Sequence, residues 1–118
     1  MFEFLRFEDI DWEDPPRGYY LSNVKQKLLW KNEETGATWV LMKFPKGVAD
    51  KLHTHPEANQ FFFPLSGEVE MEDGRILELK GNLASIELKG QKHGRTHFTK
   101  ETIALHFWDG PPKPTVVE

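Results

Sequence analysis

Apolar and polar positions alternate with a period of two over several short stretches, and each stretch is closed by Gly, Pro, Asn or Asp. That period belongs to half-buried strands, whose successive side chains point to opposite faces. Tyr19 to Trp30 predicts one or two strands, and Asn32 to Gly36 a turn with Gly36 at positive φ. Thr38 to Phe44, TWVLMKF, is β-branched and aromatic and reads as a buried strand, stopped by Pro45-Lys46-Gly47. Phe61 to Leu65 predicts the next strand. Pro64 lacks a ladder donor and belongs there at an edge or a bulge. Glu68 to Glu72 sets its three glutamates on one face and Val69 and Met71 on the other. Asp73-Gly74 predicts a two-residue type I′ hairpin returning through Arg75 to Leu79. Lys80-Gly81-Asn82 turns the chain again. Leu83 to Leu88 and Thr102 to Trp108 are the last strands.

No segment carries a convincing helical period. Many short strands between turn signals predict an all-β sandwich or barrel. One domain over residues 1–118 is expected. Residues 1–18 form an N-terminal arm carrying Phe2, Phe4 and Phe7, and the Pro-rich residues 109–118 an extended or frayed tail.

Between the second and third of these strands lies GVADKLHTHPEANQFFFPLSG, Gly47 to Gly67. His53 and His55 are two residues apart, so on an extended backbone both rings face one side. Pro56 turns the chain, and Gln60 opens the next strand, where its carbonyl oxygen could meet the same ion. Converging neutral imidazoles are what a transition metal needs. A lone H-x-H also occurs on exposed strands, so the pair alone does not define a site.

Composition narrows the chemistry. The 118 residues contain no cysteine, which excludes thiolate metal sites, thiol nucleophiles and disulfides. The net charge of −4 comes without a cluster of Lys and Arg, so nucleic acid is not an expected partner. No apolar run approaches a membrane span, and the acidic start MFEFLRFEDIDWEDPP does not read as a signal peptide; a cytoplasmic location is expected.

The motif G-x5-H-x-H-x4-Q-x6-G resembles the first signature of the cupins, with Gln60 where most members carry Glu. The second signature is matched loosely by Gly81 and by Gly90-x2-His93. Glu87 stands at its usual Pro, one extra residue follows, and His97 stands at its usual Asn. The resemblance spans residues 38–108. It implies a double-stranded β-helix, or jelly-roll barrel, closed around one divalent transition metal ion (Zn, Ni, Mn, Fe or Cu). His53, His55, Gln60 and His93 are its implied ligands, and a homodimer is implied as well.

Parity along TIALHFW puts His106 on one face with Ala104 and Trp108. If that face looks inward, His106 lies over the metal as a general acid or base near neutral pH. Phe62 and Trp108 would wall the pocket. Lys43 and Arg95 are the candidate anion holders, with Arg17 reaching from the arm. Each of these also has a plain reading as core or surface, as do His97, a neighbour of the site, and Asp109, a turn residue. The expected ligand is a small oxygen-rich molecule such as a carboxylate or sugar acid. It would be turned over by isomerisation, lyase-type or oxygenase chemistry. The alternative is a non-enzymatic cupin that senses a metal or small molecule.

Overall fold

The computed structural model of the chain describes residues 2–16, 21 and 23–118. The expected Arg17 contact and the Tyr19-Tyr20 start of the first strand lie outside the described residues. Nine strands follow one 3-10 turn at Phe7–Asp9: β1 Lys25–Lys31, β2 Thr38–Phe44, β3 His53–Thr54, β4 Gln60–Glu70, β5 Ile76–Leu79, β6 Ser85–Glu87, β7 His97–Phe98, β8 Thr102–Trp108 and β9 Thr115–Val116. No α-helix occurs among the described residues, and no helix there is long and apolar enough to cross a membrane.

The strands build a jelly roll. The main ladder runs β1-β2-β8-β4-β5, with β6 and β7 also paired to β4, and β3 pairs β9 in a separate two-stranded sheet. All pairings are antiparallel. The hydrogen-bonded ladder does not close into a continuous ring, so the expected barrel is two facing layers rather than a sealed cylinder.

Strand β4 joins the layers. Gln60–Phe62 sits between β8 and β6, and Val69–Glu70 sits between β5 and β7. The two expected strands are therefore one, bent at a register shift between Pro64 and Ser66. The missing Pro64 donor falls at this bulge, where no ladder bond is lost. The extra residue also exchanges the faces. Gln60, Phe62 and Pro64 point inward before it, and Val69 points inward after it.

The core comprises Val24, Val40, Met42, Phe44, Ala58, Val69, Leu79, Phe98 and Trp108, with the Phe44 and Phe98 rings stacked 4.3 Å apart. The inward parity of β8 is as read from sequence: Thr102, Ala104, His106 and Trp108 are buried.

One local expectation needs correction. The Asp73-Gly74 turn is not type I′, because only Gly74 has positive φ (89°). Gly74 N–H bonds the Met71 carbonyl and Met71 N–H the Arg75 carbonyl, giving a three-residue loop with glycine in the left-handed position. The arm contains the 3-10 turn and one isolated bridge, Glu13 to Gln26. Phe2 and Phe4 are exposed, and Trp12 lies under the ammonium groups of Lys27 and Lys43. The tail is extended. It adds β9 beside β3, and Glu118 accepts from Leu52 N–H and Arg95.

Candidate metal centre

His53 N–H donates to the His93 carbonyl at 2.8 Å, and His93 N–H to the His53 carbonyl at 2.9 Å. This reciprocal bridge sets the two side chains beside one another, with ring centroids 4.2 Å apart. His55 shares the His53 face by strand parity. Its ring lies 5.0 Å from that of His53 and 5.1 Å from that of His93. One nitrogen from each of the three lies within 4.8 Å of the others.

The orientation of each ring is set at Nδ1. His53 Nδ1–H donates to the Lys51 carbonyl (2.6 Å), His55 Nδ1–H to the Pro112 carbonyl (3.0 Å) and His93 Nδ1–H to the Gln91 carbonyl (3.3 Å). The lone pair of each ring is thereby on Nε2, the tautomer a metal ligand needs. Among the described residues His93 Nε2 is buried without a hydrogen-bond partner, as the lone pair of a metal ligand would be. Burial first, then the neighbouring rings His53 and His93, holds the His55 pKa down at about 4. Burial and His53 likewise lower that of His93. Both imidazoles are neutral at pH 7. The donor set fits a divalent transition metal.

Gln60 reaches the same cluster. It faces Trp108 on one side and Glu87 on the other. Its Oε1 accepts from Trp108 Nε1–H at 2.9 Å, and its Nε2 donates to Glu87 at 3.3 Å. Trp108 is thus a clamp on the amide, 5.9 Å from His55 by ring centroids.

A cavity of about 690 Å³ opens beside the histidines, lined among others by Gln60, Phe62, Glu87, His93 and His106. Phe62 walls it as expected from parity, with its ring 4.9 Å from that of His106. His106 lies inward, but burial, then the nearby His55, holds its pKa at about 3. It remains uncharged at neutral pH, so it would meet a ligand as a neutral imidazole.

The two anion holders are elsewhere. Lys43 pairs with outward-facing Ile103 on β8, and its ammonium lies over Trp12 on the outer surface. Arg95 has φ 54°, which breaks the alternation that would have aligned it with His93. Its guanidinium binds Glu72 (2.8 Å) and Glu118 (3.0 Å). His97 is half exposed beside Glu70 at 3.8 Å and is not in the cluster.

Three contributors were not singled out from sequence. Glu87 lines the cavity and accepts from Ser85 and Gln60, and burial raises its pKa. Asn59 is tied to Asp109 by two hydrogen bonds of 2.8 Å, and its Oδ1 accepts from Lys89 N–H, pinning the loop between His55 and Gln60. Pro112, in the tail, orients His55. An Asn before a strand and a Glu inside one are too common to stand out without the fold.

An antiparallel jelly roll with three clustered imidazoles able to hold a metal ion is the arrangement of a cupin. The ChrR cupin-like domain profile matches residues 3–112, and the chain belongs to that family. No curated protein matches the chain significantly. Among solved structures, a putative acetylacetone dioxygenase from Methylibium petroleiphilum is 20% identical with a TM-score of 0.75, over 100% of this chain and 82% of that one. An acetylacetone dioxygenase from Acinetobacter johnsonii is 19% identical, also with a TM-score of 0.75, over 100% and 79%. KdgF from Halomonas sp. is 19% identical with a TM-score of 0.68, over 96% of each chain. At these identities the likeness is one of fold.

Proposed function

We propose that the chain is a metal-dependent enzyme that acts on a small oxygen-bearing molecule by oxygenase-type chemistry. The observation that carries this reading is the set of three imidazoles, each tied through Nδ1 to a backbone carbonyl, with one ring nitrogen of each within 4.8 Å of the others, beside a cavity. His53, His55 and His93 hold the ion, and the Gln60 oxygen stands by as a neutral fourth donor. A divalent ion in this uncharged set supplies undiminished Lewis acidity and, as iron, electrons for reaction with dioxygen. The acetylacetone dioxygenases among the structural neighbours support oxygenation over isomerisation.

The chain's own residues supply position and proton handling. Trp108 and Glu87 fix the Gln60 amide from both ends. Phe62 and the neutral ring of His106 keep the inner wall dry. Glu87 is the carboxyl on that wall whose affinity for a proton is raised by burial, so its Oε atoms are suited to take up or release one.

The test is oxygen uptake by protein reloaded with iron(II), zinc(II) or nickel(II), with acetylacetone as substrate. Uptake with iron alone, abolished in His93→Ala, is expected. Turnover that proceeds without oxygen would move the reading to isomerase or lyase chemistry. Binding without turnover over hours would replace it with a sensing role.

The outer face of the main sheet supports a homodimer. Trp39, Phe61, Phe63, Ile86 and Leu88 are all exposed there or at its edge, a concentration of apolar surface that monomers seldom keep.

A further inference from the structure

The walls of the cavity carry an unequal set of groups. Val69, Met71, Leu77, Leu79, Leu83 and Phe98 supply hydrocarbon. The carboxylates on the lining are Asp50, Glu72, Asp73 and Glu87, and the lining includes one permanently cationic side chain, Arg75. That guanidinium is committed to Asp73 at 2.7 Å. Arg95, just outside, is committed to Glu72 and Glu118. Lys43 points to the other side of the sheet.

These features disfavour an anionic ligand. A carboxylate entering a partly desolvated space needs a cationic partner or several donors. Beyond the proposed metal, the cations here are already paired with carboxylates. A sugar acid carries such a carboxylate and has little apolar surface to set against Leu77, Leu79 and Phe98. The same walls gain from covering an apolar body.

We infer that the ligand is an uncharged carbonyl compound with an apolar body, its oxygen end at the histidines and its hydrocarbon against the Val69–Leu79–Phe98 wall. This rests on the proposed small-molecule site and departs from the expectation of a carboxylate or sugar acid. It also goes beyond the fold likeness, because a cavity of about 690 Å³ admits a body much larger than a five-carbon diketone.

The test uses two probes of one shape, benzylacetone and hydrocinnamate, which differ in a methyl group against a carboxylate oxygen. Galacturonate is the third probe. Binding is measured by calorimetry on the full-length, metal-free protein, so the metal contributes nothing to either affinity. Benzylacetone is expected to bind about tenfold more tightly than hydrocinnamate, and galacturonate not measurably. Met71→Lys places an ammonium at the half-buried lip of the cavity, and should bring hydrocinnamate level with benzylacetone or ahead of it. A benzylacetone preference under about threefold in the native protein, tighter galacturonate, or no heat from any probe overturns the inference. Failure of the enzymatic reading is separate: it shows as no turnover with any metal and leaves the metal-free preference standing.

Discussion

His53 and His93, forty residues apart in the chain, exchange both backbone hydrogen bonds, at 2.8 and 2.9 Å, and their rings come to 4.2 Å. The candidate metal centre is thus built on a ladder bridge. Replacing either residue by Ala keeps the bridge, because the bonds are between main chains. The expected outcome for His53→Ala and His93→Ala is a native circular dichroism spectrum with loss of stoichiometric metal by elemental analysis. Full metal content in both variants would move the centre elsewhere.

The tail should matter for metal affinity. The Pro112 carbonyl holds His55 Nδ1–H at 3.0 Å, and β9 covers β3. Groups that orient a metal-binding His typically contribute about 10- to 100-fold in affinity. Truncation after Gly110 removes both features and is expected to weaken zinc binding by about that factor in a chelator competition. Truncation after Lys113 keeps the Pro112 carbonyl and should lose less.

Gly94 is expected to tolerate no side chain. Its φ is 122°, and a Cβ there would stand 2.1 Å from the Lys51 carbonyl oxygen, the group that orients His53. Gly94→Ala combines backbone strain with that clash, so a destabilisation of about 2–4 kcal/mol is expected by denaturant titration, with weakened metal binding. A neutral result would mean that the Lys51 strand end yields freely.

Acid should destabilise the metal-free protein. The folded pKa of His55 is lowered from 6.5 to about 4, and that of His106 to about 3. Below 6.5 the unfolded chain binds protons that the folded one does not. The contribution of neutral His55 is therefore complete above pH 6.5 and lost as the pH falls toward 4, on the order of 3 kcal/mol for that group. The melting temperature should fall through this window, and less steeply for His106→Gln. A flat profile would show that the rings are more hydrated than their burial implies.

Phe63→Asp tests the pairing of two copies. Phe63 faces outward and is 40% exposed. A charge there should convert a dimer to a monomer by light scattering while leaving the inward-facing metal site loaded. A native protein that is already monomeric would remove the proposed homodimer.

Much of this architecture was legible along the chain. Thr38 to Phe44 and Thr102 to Trp108 are strands with the bounds read from their β-branched and aromatic runs. The inward face of β8 and the shared face of His53 and His55 follow from period-two alternation. Where alternation breaks, the reading failed. The bulge after Pro64 fused two expected strands and exchanged their faces, and φ 54° at Arg95 turned its side chain to Glu72 and Glu118. Lys43 was misplaced because its face, not its chemistry, decides what it touches.

What residue order could settle was local: strand positions, relative faces, the absence of thiols, and which imidazoles stand two residues apart. The pairing of His53 with His93, the seating of Pro112 against His55 and the burial of Glu87 and His106 depend on contacts between distant segments. The physical reason is that hydrogen-bond partners and desolvation are properties of the neighbours a group acquires on folding. A chain position carries the donor, while the packed sheets choose what it meets and which proton it keeps.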